Sequence, residues 1–151
     1  MSDTSSTIHA SAVLIGAKAV LIRGASGTGK SKLSWELLQA AERGVLPFAR
    51  LVVDDRALVE ACGGRLLVRP APTLSGLIEI YGLGIRHLPF EPVATVGLVV
   101  DLAAPDADRM PPDAAEKTVI SGISLPRLSV AAGMAALPLV LAYVRTMPGN
   151  D

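Results

Sequence analysis

One stretch constrains this chain more than any other: Gly24-Ala25-Ser26-Gly27-Thr28-Gly29-Lys30-Ser31. It fits G-x-x-x-x-G-K-[ST], the pattern of a phosphate-binding P-loop. Glycines let successive backbone N–H groups turn inward with no Cβ in the way, forming an anion nest. Lys30 is expected to reach the β/γ-phosphates, and the Ser31 hydroxyl to ligate Mg²⁺. The flanks agree with that reading. Ala19-Val20-Leu21-Ile22-Arg23 is an apolar, β-rich run before the loop. Residues 30–43 follow as a helix, with Leu33, Leu37, Ala40 and Ala41 at helical spacing on one side. Strand, glycine loop and helix is the order the chemistry requires, because the helix N-terminus adds its dipole to the phosphate site.

The rest of the chain is read around that loop. Its 151 residues predict one domain with a proper core, the first eight residues forming a disordered tail. Half the residues are apolar and the formal net charge is zero, which points away from nucleic acid and from membrane surfaces. Aromatics are scarce, with no basic patch between them to serve a single strand. No run of about 18 apolar residues suggests a membrane span. The polar start, with Asp3, does not read as a signal peptide. A lone Cys62 rules out an internal disulfide and is read as a half-buried residue beside a turn. A cytoplasmic protein is expected.

Residues 10–15 and 18–23 read as two strands around Gly16-Ala17, so the P-loop strand gains an antiparallel neighbour. The helix is expected to stop at Gly44. Residues 50–55 form an apolar strand ending in Asp54-Asp55. Residues 57–61 and 65–69 make a second hairpin around Gly63-Gly64. Residues 73–79 fit a short helix or an irregular turn, and residues 96–102 a buried strand. Residues 103–115 hold three prolines and three aspartates and predict an exposed, mobile loop. Residues 117–120 and 125–130 are further strands, and a last helix starts near Leu137 so that Pro138 falls in its first turn. This predicts an α/β P-loop domain with a mixed sheet.

Four positions outside the loop can carry chemistry. Asp54-Asp55 occupy the strand end where a Walker-B-like acid belongs. One can help hold a metal while the other accepts a proton from an attacking hydroxyl. His9 lies fifteen residues before Gly24, where a histidine could take or give a proton, although alone it reads as a surface residue. Glu79 precedes Tyr81-Gly82-Leu83-Gly84, whose glycines permit close backbone approach, and alone it too reads as surface. His87 is read as surface.

Taken together, His9, the P-loop, the Val53-Asp54-Asp55-Arg56 strand end and Leu77-Ile78-Glu79-Ile80-Tyr81-Gly82-Leu83-Gly84-Ile85 occur in one order. That order resembles the catalytic domain of bacterial HPr kinase/phosphorylase, in the short single-domain form of alphaproteobacteria. The resemblance implies a fold related to phosphoenolpyruvate carboxykinase, ATP and Mg²⁺ as cofactors, and homo-oligomers, often hexamers. It implies phosphorylation of a regulatory serine on HPr, a phosphocarrier of the sugar phosphotransferase system. Residue by residue, it implies His9 as the active-site histidine, Lys30 as the phosphate-binding lysine, and Ser31 and Glu79 as Mg²⁺ ligands. Asp55 becomes the base toward the seryl hydroxyl, with Asp54 supporting metal and lysine. Tyr81 stands where the family usually has arginine, and Ala131-Ala132-Gly133-Met134 appears in place of an Arg-Pro-Gly-Arg segment. These departures favour the kinase direction over reverse phosphorolysis. A non-catalytic nucleotide sensor and a small-molecule kinase are the alternatives.

Overall fold

The computed structural model describes residues 5–107 and 116–146. Among these, ten strands and two α-helices are arranged around the strand that feeds the P-loop. Strand β1 (Ser5–Ile15) turns through Gly16 into β2 (Lys18–Arg23), antiparallel with Ala10 opposite Arg23 and Ile15 opposite Lys18. Helix α1 (Lys30–Glu42) follows the loop. Then come β3 (Ala49–Val53), β4 (Arg56–Cys62) and β5 (Arg65–Pro70). A short ribbon, β6 (Leu77–Ile80) and β7 (Gly84–His87), stands apart from the main sheet. Strands β8 (Ala94–Asp101), β9 (Lys117–Ile120) and β10 (Ile123–Ser129) precede helix α2 (Ala136–Arg145).

The main sheet has eight strands and curls until it meets itself. The path β2-β1-β4-β5-β8 is closed by parallel pairing of β8 with β2. The long β1 makes this possible: its first half pairs with β4 and its second half with β2 and β3. Residues 5–8 therefore belong to a paired strand, which corrects the expectation of a tail over the first eight residues; residues 1–4 lie outside the described part. A β-strand sends alternate side chains to opposite faces. In β2, Ala19 and Leu21 enter the core inside the curl, while Val20 and Ile22 pack under the helices. Strand β8 keeps this division only by slipping one residue, with Ala19 opposite Val96 but Val20 opposite Leu98. Gly97 sits at the slip, where an added Cβ would come within 2.8 Å of Lys18 Cβ.

Helix α1 buries Leu33, Leu37 and Ala40 on the outer face of the sheet. Each fully buried leucine contributes roughly 2 kcal/mol. The helix ends where Gly44, at φ +78°, donates its N–H to Ala41 and Val45 donates to Ala40. That is the glycine stop expected from sequence. Helix α2 begins at Ala136, one residue before the expected start, and Pro138 lies in its first turn. No helix of the described residues is long and apolar enough to cross a membrane.

Three local readings change. Residues 73–79 divide into a 3-10 turn at Pro72–Leu74 and strand β6, because Leu77 to Ile80 pair with β7. Cys62 is exposed at the end of β4 rather than half-buried. The loop after β8 starts packed rather than exposed: Leu102 and Ala104 are buried, and Ala104 N–H bonds to Val130 O. Residues 108–115 of that loop lie outside the described part.

Candidate active site

The P-loop crosses from the end of β2 to the start of α1, and its glycines are there for two separate reasons. Gly27 and Gly29 take φ +84° and +104°, left-handed values that side chains rarely adopt. At Gly24 the limit is space, since a Cβ would strike Thr28 Oγ1 and lie 3.3 Å from Leu102 Cβ. Thr28 Oγ1 donates to Ala25 O at 2.7 Å, and Lys30 Nζ donates to Gly24 O at 2.9 Å and Ala25 O at 3.2 Å. The loop is thus closed on itself by its own side chains, with Lys30 only 5% exposed.

Strand β3 delivers Asp54 and Asp55 to this loop. β3 pairs with the second half of β1, so its C-terminal end reaches the same edge as Ala10 and Ser11. Asp54 is buried, and its carboxylate is fully engaged. It accepts from Ser11 Oγ at 2.8 Å and from the backbone N–H of Glu79 at 3.0 Å. Ser31 Oγ lies 2.8 Å from both carboxylate oxygens. Buried carboxylates need such donors, and here three separate elements provide them.

Asp55 differs from its neighbour. It takes φ +71°, rare for a residue with a side chain, and is held there by β1. Its N–H donates to Ser11 Oγ at 3.0 Å, and its carbonyl accepts from Ala10 N–H at 3.0 Å. The left-handed turn swings its carboxylate away from Asp54 and toward solvent, where it is 57% exposed. Asp55 Oδ1 lies 3.2 Å from His9 Nε2 and 3.8 Å from Lys30 Nζ. His9, Lys30, Ser31, Asp54 and Asp55, separate in the sequence, therefore form one continuous cluster.

Glu79 meets that cluster through its backbone. Its N–H bonds to Asp54, while its side chain is exposed on the ribbon. His87 is exposed on β7. Sequence reasoning missed Ser11, which is fully buried and joins the two aspartates. A lone serine in an apolar strand carries no signal of that role. It also missed Asp101 as the partner of Arg23, which it meets at 2.7 and 2.9 Å. Arg127 Nε adds a bond to Asp101 at 2.6 Å and its guanidinium reaches Asp106 at 2.9 Å. Burial would raise the Asp101 pKa, but the hydrogen bonds and charges of Arg23 and Arg127 outweigh it and hold the group below the usual carboxylate range.

The donor set around the loop suits a magnesium ion. Mg²⁺ takes hard oxygen ligands and is usually held by one or two carboxylates together with substrate phosphates. The Ser31 hydroxyl and the exposed Asp55 carboxylate present such oxygens, and among the described residues no group of three or more His, Cys, Asp or Glu forms a dedicated cage.

Fold and site together define the class: a mixed α/β domain in which a glycine loop joins strand to helix and faces a pair of aspartates. Residues 2–142 match the family model of the HPr Serine kinase C-terminal domain, and the chain belongs to that family. It is 34% identical over 136 residues to HPr kinase/phosphorylase of Limosilactobacillus reuteri, covering 82% of this chain and 40% of that protein. The Geobacillus thermodenitrificans HPr kinase/phosphorylase is 33% identical over 135 residues, covering 82% of this chain and 41% of that protein. The chain thus spans less than half the length of these relatives. The structure of the Hpr(Ser) kinase/phosphatase from Coxiella burnetii superposes with a TM-score of 0.73 at 28% identity, over 93% of this chain and 94% of that one. The mixed α/β fold expected from sequence is the fold of that structure.

Proposed function

We propose that this domain is an ATP- and Mg²⁺-dependent protein-serine kinase acting on a regulatory serine of HPr, in the cytoplasm and as a homo-oligomer. The observation that carries the proposal is the division of labour between the two aspartates. Asp54 has its lone pairs occupied by Ser11, Ser31 and the Glu79 N–H, so it positions; Asp55 is open to solvent and to an incoming hydroxyl. Geometry comes before acidity when a general base is chosen, and the exposure of the Asp55 carboxylate beside the loop supports its choice.

In this reading the loop N–H groups and Lys30 cradle the phosphates, with Lys30 leaving the carbonyls of Gly24 and Ala25 to do so. Ser31 and the exposed carboxylate of Glu79 would hold Mg²⁺, with Asp54 positioning Ser31, and the ion would supply positive charge to offset that of the phosphates. Asp55 takes the proton of the attacking seryl hydroxyl as the oxygen–phosphorus bond forms and the bond from the γ-phosphorus to the bridging oxygen breaks, releasing ADP. His9, 3.2 Å from Asp55, orients that carboxylate and shares the proton. Tyr81 stands fully exposed at the tip of the β6–β7 ribbon, at the place of the arginine expected from the family resemblance. Its lack of charge there supports the forward transfer over phosphorolysis.

The test is transfer of phosphate from ATP to purified HPr with Mg²⁺, read by mass spectrometry, beside Asp55→Ala. Serine phosphorylation by the parent chain, reduced about a thousandfold in the variant, is expected. Nucleotide binding with no transfer to HPr would instead identify a nucleotide-sensing module, and transfer to a metabolite a small-molecule kinase.

A further inference from the structure

Strands β2 and β8 run parallel and reach the P-loop side at their C-terminal ends, Arg23 and Asp101. At their opposite ends, against residues 18–20 and 95–98, lies a cavity of about 580 Å³. None of the residues of the acid cluster or the P-loop lines it. Its volume falls within the roughly 300–1,000 Å³ of small-molecule sites.

The pairing of β8 explains the space. Strand β5 meets β8 only at Ala94 and Thr95, and β10 takes over only at Val99. Residues 96–98 therefore have β2 on one edge and neither of those strands on the other. Gly97 lies in this gap, and the Lys18 stem covers it, with Cγ and Cδ within 3.4 Å of the place a Cβ would take. The stem is thus laid across the sheet beside the cavity, as long cationic side chains are where their carbons find apolar cover.

The lining is sharply divided. Leu66, Val96, Leu98 and Leu125 are buried and give it an apolar wall. Its charged residues are Lys18 and Arg65, at the starts of β2 and β5, both exposed. Neither is in an ion pair among the described residues, and no acidic residue lines the cavity. One exposed cation is ordinary surface. Two from separate hairpins on one apolar cavity call for an anionic end joined to an apolar body. Tyr143 of α2 completes the lining. Burial, and after it the charge of Glu116, raises its pKa, so its hydroxyl stays protonated and can donate. Glu116 itself stands outside the lining.

We propose that this cavity binds a small amphipathic carboxylate, its hydrocarbon body against Leu66, Leu98 and Leu125 and its charge met by Lys18 and Arg65. The body gains by leaving water, while the charged end stays at the exposed rim and avoids the cost of full desolvation.

The test is calorimetric titration of the full chain with octanoate, octanol and acetate, repeated on the double variant Lys18→Met, Arg65→Met and on Ser124→Trp. Methionine removes the charges of two exposed residues, and Ser124 is exposed on the cavity wall, so the substitutions leave the core intact. Octanoate should bind about tenfold tighter than octanol, and acetate should not bind at the same concentration. The double variant should bind octanoate no tighter than octanol, and Ser124→Trp should weaken octanoate about tenfold. Octanoate that fails to bind the parent, binds it no tighter than octanol or acetate, or binds either variant as it binds the parent would overturn the proposal.

Discussion

The two flanks of the P-loop strand are built from opposite materials. Toward β1 and β3 the side chains are polar and engaged through one another: Ser31 and Ser11 on Asp54, Ser11 on Asp55, His9 on Asp55. Toward β8 and β10 lies an alanine-lined cleft, and at its base a clasp in which Asp101 is shared by Arg23 and Arg127. The first flank has open valences, since Asp55 and His9 are about half exposed. The second is closed, because Asp101 spends both oxygens on arginines. The contrast teaches that charge alone does not mark a reactive site. Asp101 ends the strand parallel to the P-loop strand, where an acid for metal binding is ordinarily sought, yet its neighbours hold it as a structural pair. Asp54 and Asp55, two strands from the P-loop strand on its other side, have the loop within reach.

The sharpest way to break this contrast is Asp101→Asn. If the clasp is structural, the variant should lose about 3 kcal/mol of stability at pH 7, because two part-buried arginines are left short of a counter-charge. Its phosphoryl-transfer rate, measured well below the melting temperature, should stay near the parent's. Acid should narrow the difference. A carboxyl whose folded pKa lies below its ordinary 3.8 stabilises the fold above that value, and loses the contribution as pH falls through the folded pKa. Urea unfolding of parent and variant at pH 7 and again near pH 3 checks this; an undiminished gap in acid would contradict it.

Ser11→Ala sharpens the other side. The hydroxyl donates to Asp54 and accepts from the Asp55 N–H, so its loss frees the left-handed turn that aims Asp55. A stability loss of about 2 kcal/mol is expected. Alongside it, kcat should fall about tenfold while the nucleotide Kd is unchanged. A weakened Kd with normal kcat would show that Ser11 serves the loop rather than the base. The smallest effect belongs to a pair on neither flank. Arg69→Ala breaks an exposed contact with Glu60 across β4 and β5 at 3.2 Å, and thermal unfolding should register no more than about 0.5 kcal/mol.

The division between sequence and tertiary structure runs along the range of the forces involved. The P-loop, its strand and its helix were legible because each depends on near neighbours: glycine at φ values closed to other residues, apolar spacing at the helical period, a glycine stop at Gly44. The mixed sheet followed from one short turn at Gly16-Ala17. Asp54 and Asp55 were legible as a pair, and His9 was tied to them only through a family resemblance. What separates the two aspartates was not legible, since it comes from a serine on another strand and the backbone of Glu79. Nor did the chain announce that β1 would be long enough to close the sheet, because Ser5, Ser6 and Thr7 read as polar tail until β4 pairs with them. Local conformational preferences are written in the residues that express them. Which carboxylate is occupied and which is free was decided only when distant strands met, because a hydrogen bond selects its partner by position in space.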